Sequence, residues 1–294
     1  VKGIILAGGR GSRLYPNTLV TSKQLLPVYD KPMIYYPLSV FMLAGIREIA
    51  LISTPEDLPR FRMLFGDGNH LGMQISYLEQ PQPQGIAQAF LIAEEFIDSQ
   101  PVALILGDNI FYGHEMRSLL RKYYDHSQGG AIFGYQVKNP SRYGVIDFDE
   151  NFKVRSVVEK PKIPPSSFAI TGLYFYDSQV VSIAKSLQPS YRGELEITDV
   201  NQVYLEQGLL QVELFDKGFA WLDTGTHEAL HQASSYIQTI QERQGIQIAC
   251  LEEIAFENGW ISLSQLSVLV DRYSASEYGL YLKSLYPPAC KVGV

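Results

Sequence analysis

Val1-Lys2-Gly3-Ile4-Ile5-Leu6-Ala7-Gly8-Gly9-Arg10-Gly11-Ser12-Arg13-Leu14 is the stretch that decides the fold. An apolar run from Ile4 to Ala7 ends in a glycine-rich turn, and an arginine follows. A short apolar run bounded by glycines reads as a buried strand. Glycines after such a strand let backbone N–H groups come close to a phosphate, because no Cβ intervenes. Arg13 adds a fixed charge with fork geometry for phosphate oxygens. Two common glycine motifs are excluded. The dinucleotide fingerprint G-x-G-x-x-G fails because Leu14 stands at its last glycine. The P-loop G-x-x-x-x-G-K-[ST] fails because Gly9 stands at its lysine. The remaining pattern, G-G-x-G-S-R-L, fits a nucleotide-phosphate site and also an ordinary tight turn.

Outward from this stretch, early strands alternate with helices. Apolar, β-branched-rich runs at Gly3–Ala7, Ile49–Ser53, Met73–Leu78, Val102–Leu106, Ala131–Val137, Gly144–Phe148, Val154–Glu159, Gly172–Tyr176 and Leu210–Leu214 read as strands. Helical spacing marks Ile34–Ala44, ending at Gly45, then Ile86–Ile97 and Met116–Tyr124. The alternation predicts βαβ units and an α/β fold: a Rossmann-like mixed, mostly parallel sheet flanked by helices. Asn151 and Phe152 read as a hairpin turn, which places an antiparallel insertion in the later sheet. His227–Arg243, Leu251–Asn258, Ser262–Asp271 and Ser276–Leu285 are helical patterns. The expected organisation is a catalytic domain over 1–226 and a helical C-terminal extension over 227–294.

The 294 residues are 46% hydrophobic and 19% charged, the make-up of a chain with a full core. The net charge of −7 argues against nucleic-acid and anionic-membrane partners, which need basic patches. A phosphorylated substrate then requires locally gathered Lys and Arg, with a cation. The two cysteines, Cys250 and Cys290, form neither a metal spacing nor a disulfide framework, and both read as small apolar fillers. No stretch reads as a signal peptide and no apolar run reaches transmembrane length. The expectation is a cytoplasmic protein.

Val102–Leu106 delivers Asp108 and Asn109 past its carboxyl end, where open α/β sheets bind ligands. Aspartate is a hard oxygen ligand suited to Mg²⁺, and equally a cap for a following helix. Phe219-Ala220-Trp221-Leu222 delivers Asp223 in the same way, with Thr224 or Thr226 able to cap the helix near His227. If Asp108 and Asp223 meet, they make a two-carboxylate metal site. Lys23 and Lys160 lie among apolar and proline residues and suit phosphate as compact point charges, or surface salt bridges. Gln24 and Gln80 each offer a donor and an acceptor to the edge of a nucleobase. Tyr143-Gly144, Thr171-Gly172 and Arg192 to Asp199 combine groups that suit sugar hydroxyls, as turns and caps also would.

Taken together, these segments resemble the sugar-nucleotide pyrophosphorylases, or nucleotidylyltransferases, from residue 3 to about 285. Ser22-Lys23-Gln24-Leu25-Leu26-Pro27 and the stretch from Tyr29 to Leu38 are similar to the thymidylyl branch. Gly107-Asp108-Asn109, Val158-Glu159-Lys160-Pro161, Arg192-Gly193-Glu194-Leu195-Glu196-Ile197-Thr198-Asp199 and Trp221 to Thr226 carry the rest of the likeness. The resemblance implies one reaction. A phosphate oxygen of glucose 1-phosphate attacks the α-phosphorus of dTTP in line, giving dTDP-glucose and pyrophosphate with no covalent enzyme intermediate. This would be the first step toward a dTDP-deoxysugar such as dTDP-L-rhamnose.

The resemblance also implies roles. Mg²⁺ sits on Asp108 and Asp223. Arg13 holds the leaving pyrophosphate, Lys23 the triphosphate and Lys160 the sugar phosphate. Gly8, Gly9, Gly11 and Ser12 cradle phosphates, while Gln24, Gln80 and Gly85 face thymine. Asn109, Tyr143, Gly144, Glu159, Ile170, Glu194 and Trp221 contact the sugar. Arg10, Ser12 and Gln84 depart from the usual pattern; Gln84 stands where aspartate is frequent beside the base. A homotetramer is implied, with a regulatory nucleotide site involving Tyr112-Gly113 and Cys250 to Glu257, inhibited by dTDP-L-rhamnose. The rival readings are the same chemistry with UTP, and a non-catalytic sugar-nucleotide-binding subunit on this fold.

Overall fold

The protein is described by a computed structural model that covers residues 1–124 and 128–285; Cys290 lies outside the described residues. The strands are β1 (Lys2–Leu6), β2 (Pro27–Val28), β3 (Lys31–Pro32), β4 (Glu48–Ser53), β5 (Gln74–Glu79), β6 (Val102–Leu106), β7 (Asn109–Gly113), β8 (Gly130–Gln136), β9 (Gly144–Phe148), β10 (Val154–Glu159), β11 (Phe168–Tyr176), β12 (Leu210–Leu214) and β13 (Phe219–Asp223). The helices are α1 (Tyr35–Ala44), α2 (Leu58–Phe65), α3 (Gln88–Ile92), α4 (Glu94–Ile97), α5 (Met116–Arg121), α6 (Val180–Ser186), α7 (Ile197–Glu206), α8 (His227–Gln244), α9 (Leu251–Glu257), α10 (Leu263–Tyr273) and α11 (Glu277–Ser284).

One mixed sheet runs β10-β9-β11-β6-β1-β4-β5, and β8 joins it through β11 and carries β12 at its other edge. The pairs β1–β4, β1–β6, β4–β5 and β8–β12 are parallel. The antiparallel part is β6–β11, β11–β8, β11–β9 and β9–β10. β1 reads as an apolar run rather than an alternation because both of its faces are covered. Ile5, Ile49, Leu51 and Ile105 enter one core with α1, and Ile4, Ala50, Ile52 and Leu104 enter the other with α3 and α6. Burial on both faces is the signature of parallel strands between helix layers.

α1 is apolar on nearly all sides, since it lies under both the sheet and the C-terminal helices. It ends where expected, with Gly45 in the left-handed region (φ 91°) donating back to Phe41 and Met42 carbonyls. The helix expected over Ile86–Ile97 is broken at Ala93, whose torsions (φ −94°, ψ 13°) divide it into α3 and α4. The hairpin expected at Asn151-Phe152 joins β9 to β10, and the Asp149 carboxylate accepts the Asn151 and Lys153 N–H groups around it. α8 packs Ala233 and Ile237 against Val28, Met33, Tyr36 and Ile110, so the last helices lie directly on the α/β body. Cys250 is buried in the core that includes α9. Among the described residues no helix is long and apolar enough to cross a membrane.

Gly3 sits where β1 passes under α1. A Cβ there would lie 2.8 Å from the Phe41 ring and 3.2 Å from Ile46. Gly3→Ala is expected to destabilise the fold by about 1–3 kcal/mol through overpacking. Urea unfolding checks this: the midpoint falls and the slope stays the same.

Candidate active site

The site begins with register. β1 and β6 are parallel neighbours, with Leu6 opposite Leu106, and Gly107 donates its N–H to the Leu6 carbonyl at 2.9 Å. The glycine turn after β1 and Asp108 after β6 therefore leave the sheet side by side at its carboxyl edge. Gly9 (φ 92°) and Gly11 (φ 58°) take left-handed torsions that a side chain would disfavour. The chain after Asp108 is a strand, β7, so Asp108 is not a helix cap. β7 pairs antiparallel with β13, which sets Asp223 opposite Asn109. Thr224 then donates both its hydroxyl (2.8 Å) and its N–H (3.4 Å) to the Asp108 carbonyl. Thr226, not Asp223, caps α8, accepting from Ala229 N–H. Both carboxylates are left for the cleft.

Two cavities meet here. One, of about 420 Å³, is lined among others by Arg13, Asp108, Asn109, Arg142, Tyr143, Gly144, Glu159, Lys160, Ile170, Thr198, Trp221 and Asp223. The other, of about 220 Å³, is lined by Gly8, Gly9, Gly11, Ser12, Arg13, Leu14, Lys23, Gln24, Asp108 and Gly225. Arg13 and Asp108 belong to both. No His or Cys lines either cavity among the described residues.

Lys23, Arg142 and Lys160 are each paired with a carboxylate of this cleft. The Lys23 ammonium, 8% exposed, donates to Asp108 Oδ2, and Asn109 Nδ2 donates to Asp108 Oδ1 at 3.0 Å. Burial opposes ionisation of Asp108, but the Lys23 charge and these two hydrogen bonds outweigh it and hold the carboxyl below the usual carboxylate range. Asp223 Oδ2 accepts from Tyr143 Oη (3.2 Å) and from Arg142 (3.4 Å). Burial, then the Asp223 charge, pushes the Tyr143 phenol up to about 12, so it stays a donor. Glu159 accepts from Thr198 Oγ1 (2.5 Å) and faces Lys160 (3.4 Å) and Arg192 (3.5 Å). Lys160 takes a left-handed torsion (φ 40°) where β10 ends, and its N–H donates to the Tyr143 carbonyl.

Asn109 acts as a brace. Its Oδ1 accepts Trp221 Nε1–H at 2.6 Å and Gly172 N–H at 3.1 Å, while its amide donates to Asp108. The register shift in β11 between Ile170 and Tyr174 frees the Gly172 N–H for this bond. The base-facing candidates lie at the glycine turn. Gln80 is buried with its carbonyl over Gly8, where a Cβ would come within 2.0 Å of it. Gly85 (φ 104°) lies against the Leu195 backbone, which leaves a Cβ no room. Gln80, Gly85 and Glu194 line neither cavity, and Glu194 pairs with Arg192 at 2.8 Å and is 40% exposed. Glu196, two residues on, is the buried partner of Arg192 and Ser190. Arg142 escaped the sequence reading because it sits in a short 3-10 turn after Pro140 that carries no pattern of its own.

The donor set suits a hard cation. Asp108 and Asp223 reach one cleft, and no group of three or more His, Cys, Asp or Glu side chains gathers among the described residues. Mg²⁺ is commonly held by one or two carboxylates with substrate phosphates and water completing the octahedron. A third cavity, of about 280 Å³, lies away from this cleft and includes Tyr112, Gly113, Arg117, Cys250 and Ile254 in its lining.

The chain is similar to known nucleotidyl transferases in sequence and in fold. A nucleotidyl transferase family model matches residues 2–240. The chain is 58% identical, over 97% of its length and 99% of the relative's, to a glucose-1-phosphate thymidylyltransferase of Neisseria meningitidis serogroup A. Its structure is similar to that of a Bacillus anthracis protein assigned as a glucose-1-phosphate thymidylyltransferase and solved with sucrose, with TM-score 0.74, 41% identity, and 80% and 94% of the two chains covered. It is also similar to a UDP-glucose pyrophosphorylase solved with UDP-glucose, with TM-score 0.72, 25% identity, and 81% and 98% covered.

A Cβ on residue 172 would lie 2.6 Å from Asn109 Oδ1. Gly172→Ala is expected to displace the brace and with it Asp108, lowering turnover about 10- to 100-fold. Steady-state rates beside an unfolding curve test this; a wild-type rate in a folded variant would remove the brace from the site.

Proposed function

The chain belongs to the nucleotidyl transferase family, and on that premise we propose that it transfers dTMP from dTTP to glucose 1-phosphate, releasing dTDP-glucose and pyrophosphate. The observation that carries this reading is the junction of the two cavities at Arg13 and Asp108. The smaller one has the glycine turn and cations that a triphosphate needs. The larger one has the hydroxyl, carboxylate and aromatic groups that a sugar needs, with Lys160 beside them. A phosphorus held at the junction is reachable from both.

The chemistry asks for positioning and charge balance. The sugar phosphate is already an anionic nucleophile, so no general base has to remove a proton. Its oxygen attacks the α-phosphorus, and the bond to the bridging oxygen breaks on the opposite side, so pyrophosphate leaves. Two polyanions must be brought into line against their repulsion. Arg13 meets the leaving pyrophosphate, Lys23 the triphosphate and Lys160 the sugar phosphate, while the Gly8, Gly9 and Gly11 backbone approaches the phosphate oxygens. Glu159 and Thr198 suit sugar hydroxyls, and Tyr143 and Trp221 give the pocket a wall with their rings 5.1 Å apart. Asp108 and Asp223 would hold Mg²⁺, which when bound supplies positive charge to the reacting phosphate.

The same reading extends to pathway and regulation. The product is an activated sugar of the kind from which dTDP-deoxysugars such as dTDP-L-rhamnose are made. The third cavity joins Tyr112 and Gly113 to Cys250 and Ile254, which supports a second site for a nucleotide sugar such as dTDP-L-rhamnose, in a homotetramer.

Pyrophosphate release, with Mg²⁺ and glucose 1-phosphate, tests the reaction with dTTP and UTP in parallel and with EDTA. Metal-dependent release strongest with dTTP is expected. Preference for UTP would reassign the base, and no release with either would return the non-catalytic reading. Asp108→Asn and Asp223→Asn are each expected to lower kcat by about 100-fold or more, as removal of a group that stabilises transition-state charge does, in variants that still unfold cooperatively. Near-normal rates in both would remove the metal assignment. Lys160→Ala is expected to raise KM for glucose 1-phosphate about tenfold or more and to leave KM for dTTP within about twofold, in proportion to the loss of one charged hydrogen bond. An effect confined to dTTP would overturn its role.

A further inference from the structure

Gln80 follows β5 and is 2% exposed, and the two ends of its amide face unlike surroundings. Its Nε2 donates to Gln88 Oε1 at 2.8 Å. The same oxygen of Gln88 accepts the backbone N–H of Gln84 at 2.9 Å, and Gln88 Nε2 donates to Gln84 Oε1 at 3.0 Å. A backbone N–H only donates, so the end of Gln88 that faces it has to be the carbonyl oxygen. Turning that amide over would set NH₂ against N–H. The end of Gln80 that faces the same oxygen must then be its NH₂. Gln80 Oε1 is thereby turned toward Gly8 and the phosphate turn. The side-chain polar atoms sealed from solvent without a partner are confined to Thr171 and Asn201 among the described residues. Gln80 Oε1 is not one of them, and it accepts no hydrogen bond among the described residues. It is an open acceptor.

We propose that Gln88 is a specificity-determining residue that acts at one remove: anchored by the Gln84 backbone N–H, it fixes Gln80 as an acceptor toward the base. The proposal rests on the reading that Gln80 meets the base. Thymine and uracil carry a ring N–H flanked by carbonyls, which suits that acceptor. Cytosine presents a ring lone pair at the same place, and two lone pairs facing each other in a dry pocket leave both unsatisfied. A site built to hydrogen-bond one partner rejects the mismatched one far more strongly than shape alone can. Gln88 touches no base in this scheme, and its effect passes through Gln80.

The experiment compares kcat/KM for dTTP and dCTP, at fixed glucose 1-phosphate, in the full chain and in Q88E, Q88M, Q88K and Q80M. The wild type is expected to favour dTTP. Q88E keeps an acceptor for both donors and is expected to hold that preference within about threefold. Q88M removes the acceptor and frees the Gln80 amide to turn; the preference is expected to fall about tenfold or more, with KM for glucose 1-phosphate unchanged. Q88K offers only donors, draws the Gln80 oxygen toward itself, and is expected to lower the preference at least as far, which keeps the test alive if Q88M does not fold. A wild-type preference in Q88M or Q88K while Q80M loses it overturns the proposal and leaves Gln80 at the base. Equal losses in Q88E and Q88M also overturn it, since keeping the acceptor oxygen at position 88 would then make no difference. A wild-type preference in Q80M overturns the underlying assignment of Gln80 to the base, and the proposal with it.

Discussion

Leu6 and Leu106 lie opposite each other in adjacent parallel strands, and the geometry of the cleft depends on that register. A slip of one residue would exchange the faces of β1, sending Ile5 into the core that holds Ile4. Because both faces are buried, the slip is costly on either side, and the register is fixed by packing alone. It places the glycine turn beside Asp108. The ribbon of β7 and β13 then carries the order one step further, setting Asp223 opposite Asn109, and Thr224 fastens the two turns through one carbonyl oxygen. The catalytic geometry is thus a property of the sheet, and the side chains inherit it.

The chain has net charge −7, yet its cleft gathers Arg13, Lys23, Arg142 and Lys160. Carboxylates explain how these cations stay together without substrate. Lys23 is held by Asp108, Arg142 by Asp223 and Lys160 by Glu159, while Arg192, behind Glu159, is held chiefly by Glu196. Such pairs position charge more than they stabilise the fold, because burying them costs solvation. On the proposed function, an arriving phosphate would compete with these carboxylates for cations already gathered at the cleft.

Much of this was legible along the chain, and the gaps have physical causes. β1, β4 and β6 were readable because burial on both faces makes their sequences uniformly apolar. Asp108 and Asp223 were readable singly, since each follows an apolar run into a turn. Their meeting was not, because it depends on β7 and β13, short strands whose pairing is set by tertiary contact. Trp221 reads as a flat wall for a sugar, but its indole N–H is spent on Asn109. Glu194 and Glu196 differ by two residues and look alike in sequence. The turn at Gly193 (φ 75°) sends Glu194 outward, while Glu196 sits at the start of α7 and is buried.

Charge and neutral polarity carry different information in this site. Lysines and arginines recognise phosphates, which every nucleotide shares, so they cannot choose a base. Choice falls to amides, whose two ends are nearly the same size and opposite in polarity. An amide selects only if something decides which end faces the ligand. Here the decision comes from the Gln84 backbone N–H and passes through Gln88 to Gln80. The anchor is main chain, so it does not depend on which side chain stands at position 84.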